Sequence, residues 1–267
     1  MKASTKKAIE NAGMKVYGNY VSVSGELFPL PLVQGNEKLG KTVWHSSTVP
    51  TCGTISAYMP NGETITQKGT CPCSCDKCYA TTGNYLFNSV KYSLIMRTKL
   101  LKEHMETYFQ LVAIQIDTEN IKKLRIHASG DFISGEAAGY YGILASRPHV
   151  SAWTYTKCTM SEDLRRLDSL NNCNIVKSII RGHGFNFGTI AHVANMFYFL
   201  KRAGKSVYIC RCGIDKEQHC SNCDGCSSHE YVLFVEHSTG YQPEKEKLLN
   251  KFIELVENQK NEVSKNA

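Results

Sequence analysis

Leu124-Arg-Ile-His-Ala-Ser-Gly-Asp-Phe132 is the stretch on which the fold turns. Its first half, Leu124 to Ala128, reads as a strand, and Ser129-Gly130-Asp131 ends it with turn-forming residues. Ile133 to Ser146 then takes helical spacing. The unit recurs downstream. Val150 to Tyr155 is strand-like, and Thr159-Met-Ser-Glu162 has the form of a capping box opening a helix with Leu164 and Leu167 inward. Asn174 to Ile180 is a further strand, followed by a glycine-rich loop and a helix over Ile190 to Ala203. Ser206 to Cys210 and Tyr231 to Val235 complete the strand set. Strands alternating with helices predict an α/β fold with a mostly parallel sheet, either open or closed as a partial barrel. Ligands gather at the carboxyl ends of such strands, so the informative loops are 129–133, 156–160, 181–188 and the segment from Cys210 onward.

Outward from that array, Tyr85 to Ile116 carries apolar residues at helical spacing. The first seventy residues are rich in Gly, Pro, Ser and Thr and read as a short helix, strands over 15–23 and 42–49, and long connections. Glu244 to Lys260 is an amphipathic helix with Pro243 at its start and Leu248, Leu249, Phe252, Ile253 and Val256 on one face. Linker signals are weak. One compact domain is therefore expected, with an irregular region 1–60, a core 61–240 that includes the cysteine-rich segment 210–226, and the helix region 241–267.

Of the 267 residues, 42% are hydrophobic and 21% charged, which is ordinary for a soluble globular protein. The net charge of +7 and a pI near 8.7 suit an anionic partner without requiring one. The amino terminus has no apolar stretch behind its basic residues, and no window is apolar enough for a membrane span. A cytoplasmic protein without a membrane partner is expected. In that compartment thiols stay reduced, which turns the reading of twelve cysteines from disulfides to metal or redox chemistry. Cys52, Cys158 and Cys173 stand alone and read as small buried hydrophobes. The rest fall in two knots.

The first knot, Cys71-Pro-Cys-Ser-Cys75-Asp-Lys-Cys78, contains C-x3-C-x2-C through Cys71, Cys75 and Cys78, with Cys73 as an extra thiol. Thiolates this close repel unless a metal centre neutralises them. Three ligands without a local fourth leave an open position on an iron–sulfur cluster; zinc remains an alternative, with Cys73 as its fourth ligand. The second knot, Cys210-Arg-Cys212 followed by Cys220-Ser-Asn-Cys223-Asp-Gly-Cys226, contains the C-x2-C-x2-C run of bacterial ferredoxins. Cys210 or Cys212 can supply the fourth thiolate of a [4Fe–4S] cluster, and a zinc ribbon is the rival reading. The metal-ligand candidates are Cys71, Cys75, Cys78, Cys210, Cys220, Cys223 and Cys226.

On these residues the chain resembles radical S-adenosylmethionine enzymes, whose C-x3-C-x2-C loop holds a [4Fe–4S] cluster. The resemblance implies a partial (β/α)6-type barrel plus the cysteine-rich metal-binding segment. It also implies that Ser129, Gly130 and Asp131 contact the methionine end of S-adenosylmethionine and that Tyr79 contacts the cofactor. A reductant would supply one electron, forming a 5′-deoxyadenosyl radical that takes hydrogen from a nucleotide, nucleic-acid or peptide substrate. Tyr155, Lys157, Arg181 and His183 are candidate substrate contacts at strand ends. Lys77 and Asp131 depart from that pattern, which usually has an aromatic residue and a glutamate there. The chain more closely resembles the phage gene-product-88-like proteins, through Gly35 to Lys41, Cys78-Tyr79-Ala80, Arg125 to Phe132, Tyr155-Thr-Lys157 and the triple-cysteine run. The competing functions are a zinc-stapled module binding nucleic acid or protein, and an iron–sulfur redox or sensor protein.

Overall fold

The computed structural model describes residues 1–35, 39–59, 61–72, 80, 82–158, 160–177, 187–188, 190–211, 218, 220–235, 244, 247–251 and 253–254. The chain opens with α1 (Ala3–Asn11), the antiparallel meander β1 (Lys15–Tyr17), β2 (Tyr20–Val23) and β3 (Glu26–Pro29), then β4 (Val33–Gln34) and β5 (Val43–His45). A hairpin of β6 (Thr54–Tyr58) and β7 (Thr64–Lys68) precedes α2 (Asn88–Glu103) and α3 (Met105–Glu119). The array follows as β8 (Lys123–Ile126), α4 (Glu136–Ala145), β9 (Ser151–Thr156), α5 (Glu162–Asp168) and β10 (Cys173–Lys177). Last come β11 (Phe187–Gly188), α6 (Ile190–Arg202), β12 (Val207–Cys210), α7 (Gly225–Ser228) and β13 (Tyr231–Val235). Two compact units result: Met1–Gly35 with Lys41–Ile175, and Asn36–Gly40 with Val176–Ala267.

In the first unit the main sheet has the order β10-β9-β8-β5-β4. β5, β8 and β9 run parallel, with His45 opposite Arg125 and Ile126 opposite Thr154, while β4 closes one edge antiparallel. Alternation along β8 sends Leu124 and Ile126 into a core shared with Ala152, Leu111, Ile116, Tyr140 and Leu144. Full burial of each large apolar side chain there contributes roughly 1.5–3 kcal/mol. Tyr85 to Ile116 divides into two helices at His104, whose N–H closes α2 on the Leu100 carbonyl and whose carbonyl opens α3 by accepting the Tyr108 N–H. The cap of α5 is Ser161, whose Oγ accepts the Leu164 N–H at 3.2 Å; Thr159 lies outside the described residues. Gln115 is buried where an apolar residue would be expected. Its amide accepts the Leu32 N–H and donates to the Leu32 carbonyl, both at 2.9 Å, and so pairs a strand-like backbone that has no neighbouring strand there.

The second unit stacks α6 on a parallel three-stranded sheet of order β11-β13-β12. Val193, Phe197 and Leu200 meet Val207, Ile209, Leu233 and Val235. Residues 247–251 are helical, with Leu249 buried in this core and Leu248 46% exposed, so Leu248 does not share the inward face expected for it. Phe252 and Val256 lie outside the described residues. The fold is thus mixed α/β with parallel strands in two separate sheets, and no closed barrel forms among the described residues. No described helix is long and apolar enough to cross a membrane.

Helices α3 and α4 approach closely at Gly139, where a Cβ would overlap the Phe109 ring. Alanine is the better helix former by about 1 kcal/mol. Gly139→Ala should nonetheless destabilise the protein by about 1–3 kcal/mol, because the overlap forces Phe109 from its packed position. Urea denaturation of both proteins checks the sign.

Candidate metal centre at the carboxyl edge of the parallel sheet

Pairing between β5 and β8 does not stop where the regular strands end. Ser46 N–H donates to the Arg125 carbonyl at 3.2 Å, Ala128 N–H to the Ser46 carbonyl at 2.8 Å, and Thr48 N–H to the Ser129 carbonyl at 3.0 Å. Side chains repeat the stitching. Ser46 Oγ accepts the His127 N–H at 3.0 Å, and Ser129 Oγ donates to the Thr48 carbonyl at 2.9 Å. The Ser129-Gly130-Asp131 turn is therefore fixed to the end of the neighbouring strand.

Thr70, the residue before the first cysteine knot, is tied to the same point. Its N–H donates to the Val49 carbonyl at 3.0 Å, and its Oγ1 lies 2.9 Å from Thr48 Oγ1 while accepting the Asp131 N–H at 2.8 Å. Cys71, half-buried, is the next residue. Two glycines permit this closeness. A Cβ at Gly69 would overlap the carbonyls of Pro50 and Thr51, and one at Gly130, whose φ is +83°, would overlap Thr48 Oγ1. The start of the cysteine loop and the Ser129–Asp131 turn thus meet through one hydroxyl. Cys73, Cys75, Cys78 and Tyr79 lie outside the described residues, as do Arg181 and His183.

Asp131 is 2% exposed and its carboxylate is engaged internally. Oδ1 accepts the Thr156 hydroxyl at 2.7 Å and the Phe132 N–H at 2.8 Å, and Oδ2 accepts the Lys157 N–H at 2.7 Å. Lys157 joins this site through its backbone. Tyr155 is half-buried, with the Arg125 guanidinium 5.6 Å from its ring centroid. Cys158 and Cys173 are poor ligands as placed: burial and nearby acidic groups push their thiols up to about 11 and about 12.

Beneath the turn lies a buried acid–base pair. His127 Nε2 is 3.0 Å from Glu136 Oε1, and both side chains are fully buried. Neither atom makes a hydrogen bond of good geometry, so the attraction is of charge more than direction. Burial pulls the His127 pKa down, but the charge and proximity of Glu136, with Asp131 adding to them, outweigh it and leave the pKa raised. His127 also holds φ at +55°, a left-handed conformation costly for a side chain of this size. Thr48, Thr70, Thr156, His127 and Glu136 all belong to the site without having been singled out by their own chemistry. Thr70 and His127 stood beside residues that were; Glu136 carried no local signal.

In the second unit Tyr208 meets one cysteine of the run. Its hydroxyl lies 3.1 Å from Cys223 Sγ, which also accepts the Gly225 N–H at 3.4 Å. Burial first, then the hydrogen bond and charge of Cys223, with Cys210 and Cys226 adding to them, push the Tyr208 phenol upward. A Cβ at Gly225 would overlap the Tyr208 ring, and one at Gly40 would overlap Ser221. Among the described residues no three His, Cys, Asp or Glu side chains are disposed to hold a metal ion. Cys212 and His219 lie outside those residues.

Thr70→Val removes the acceptor of the buried Asp131 N–H and should cost about 1–3 kcal/mol in a denaturant titration, with Thr70→Ser recovering most of it. The His127 pair has a signed pH dependence. Its raised folded pKa gives stability that is full below pH 6.5, the unfolded value, and lost as pH rises through the folded value. In Glu136→Gln the Glu136 charge is lost and burial, opposed only by Asp131 and the Ser129 backbone, is the largest influence left, so the sign should reverse and stability should fall as pH drops below 6.5. Denaturation of both proteins between pH 5 and 9 distinguishes the slopes.

Residues 30–240 match the family described as Gene product 88. Neither curated proteins nor solved structures yield a match. The matched span takes in both cysteine knots, the parallel array and the Ser129–Asp131 turn; the chain belongs to the gene product 88 family.

Proposed function

We propose that this protein is an iron–sulfur enzyme of the radical S-adenosylmethionine type. The observation that carries the reading is the Thr70 hydroxyl, which joins the residue before Cys71 to the backbone of Asp131 at the carboxyl edge of parallel strands. Cys71, Cys75 and Cys78 would hold a [4Fe–4S] cluster, for which three closely spaced thiolates are a fitting donor set. Such a cluster supplies one-electron cleavage of S-adenosylmethionine to a 5′-deoxyadenosyl radical able to take hydrogen from a substrate. The chain's own residues orient and enclose. Thr70 and Thr48 fix the start of the cysteine loop, Ser129 and Asp131 hold the turn, and Gly130 brings its backbone close. In this reading β5, β8, β9 and β10 are the first strands of a partial (β/α)6-type barrel. Cys210, Cys220, Cys223 and Cys226 carry a second cluster or a zinc ion, and a cytoplasmic reductant supplies the electron.

One observation favours a second reading, an iron–sulfur redox or sensor protein without S-adenosylmethionine chemistry. The Asp131 carboxylate is engaged by Thr156, Phe132 and Lys157 rather than left open for a methionine amino group. Anaerobic purification followed by iron, sulfide and zinc analysis tests both. A brown protein whose reduced form yields 5′-deoxyadenosine from S-adenosylmethionine is the expected result. A reducible cluster that yields none selects the redox protein, and a colourless protein with stoichiometric zinc rejects both readings. Cys75→Ala should lose the first cluster's iron while retaining the second site's metal.

A further inference from the structure

The hairpin β6–β7 has two unlike faces. Strand alternation turns Ile55, Ala57 and Ile65 toward Leu94 and Ile95 of α2. The opposite face pairs Thr54 with Lys68, Ser56 with Thr66 and Tyr58 with Thr64, and all six residues are exposed. It offers hydroxyls, one ammonium and one aromatic ring, and no carboxylate stands on either strand.

The face continues onto α2. Tyr58 N–H donates to Asn88 Oδ1 at 2.7 Å and Asn88 Nδ2 donates back to the Tyr58 carbonyl at 2.9 Å, which sets Phe87 and Leu86 beside that end of the hairpin. Tyr58, Leu86 and Phe87 are 67%, 59% and 60% exposed, three of the most exposed large apolar side chains described. Lys91 lies one helical turn beyond Phe87. At the far end Lys102 Nζ donates to the Lys68 backbone carbonyl at 3.3 Å, which brings its ammonium to the end of β7. Among the described residues Lys68, Lys91 and Lys102 form no ion pair, whereas Lys2, Lys6, Lys99, Arg147 and Lys205 all do. The one acidic residue of the hairpin, Glu63, is in the turn, held by Asn61.

We infer that this face binds single-stranded nucleic acid, with Tyr58 and Phe87 stacking on bases and Lys68, Lys91 and Lys102 following the phosphates. Exposed aromatic faces beside lysines outside any ion pair are what strand-binding grooves combine. Threonine and serine hydroxyls add phosphate donors. An acidic protein would also be drawn by the charge, but protein interfaces are depleted in lysine, and three lysines stand along this patch. From Asn88 to Lys102 α2 rises about 21 Å, at about 1.5 Å per residue. The face is therefore a strip and not a single pocket.

Fluorescence anisotropy of the full chain with labelled oligothymidylate and oligouridylate, across a salt series, tests this. Both should bind, more tightly than a duplex of the same length, whose bases cannot stack. Tyr58→Ala and Phe87→Ala should each weaken binding about tenfold with the salt slope unchanged. Lys68→Glu with Lys102→Glu should weaken it at least tenfold and reduce the log–log slope by about 0.7 for each phosphate no longer neutralised. Lys7→Glu, on an exposed face of α1, should change little. All these side chains are exposed, and unchanged melting curves would show the variants folded. Absence of binding at low salt, equal binding to duplex, binding insensitive to Tyr58 and Phe87, or binding of polyglutamate in place of the oligonucleotides would each overturn the inference.

Discussion

Thr70 Oγ1 is where three parts of the first unit are held together. It accepts the amide of Asp131, lies beside the hydroxyl of Thr48, and sits on a residue whose own amide is bound to Val49. A hydroxyl suits the position because it can donate and accept at once, as neither a methyl group nor a carboxylate can. Each partner is buried, so the alternative to this bond is an unsatisfied polar group, at a cost of about 1–3 kcal/mol. The consequence is geometric. The chain entering the cysteine loop cannot move relative to the ends of β5 and β8 without breaking several buried bonds together.

The buried pair beneath that junction works in the opposite direction. A histidine and a glutamate with no exposed side-chain surface both lose solvation, a cost set against their mutual attraction. His127 adds a left-handed backbone, set by its place between β8 and the Ser129–Asp131 turn. Strain and buried charge in one residue mark a position held by its surroundings: Ser46 holds its amide, Phe132 packs edge-on against its ring, and Glu136 faces its imidazole. The fold tolerates His127 because neighbouring strands fix it from several sides.

Alternation and turn chemistry made much of this legible. β8, β9 and β13 lie where the apolar patterns put them, and Ser129-Gly130-Asp131 ends its strand as its composition requires. What periodicity missed was long-range partnership. The break at His104 is not announced by Gly or Pro. Ser161 caps α5 because its hydroxyl reaches an amide three residues on. Thr48, Thr70 and Glu136 acquire roles only when strands far apart in sequence are brought alongside, and no local window contains that information. The second unit shows the same limit: Tyr208 sits two residues before Cys210 in an ordinary strand, yet its hydroxyl lies against Cys223, well along the chain.

The length of the Asp131 side chain bears on what the edge of the sheet can hold. A carboxylate has about four acceptor sites. Three are taken by Thr156, Phe132 and Lys157, and the group is almost wholly enclosed. Reaching its own neighbour's amide requires a short side chain, since an added methylene would carry the oxygens past the Phe132 N–H. Asp131 therefore ties the turn after β8 to the end of β9, and whatever ligand approaches the turn meets its backbone rather than that carboxylate. Gly130 has no Cβ, and the space one would need is filled by the Thr48 and Thr70 hydroxyls. The direction of the peptide groups at this edge is thus fixed by the Thr48–Thr70–Asp131 bonds.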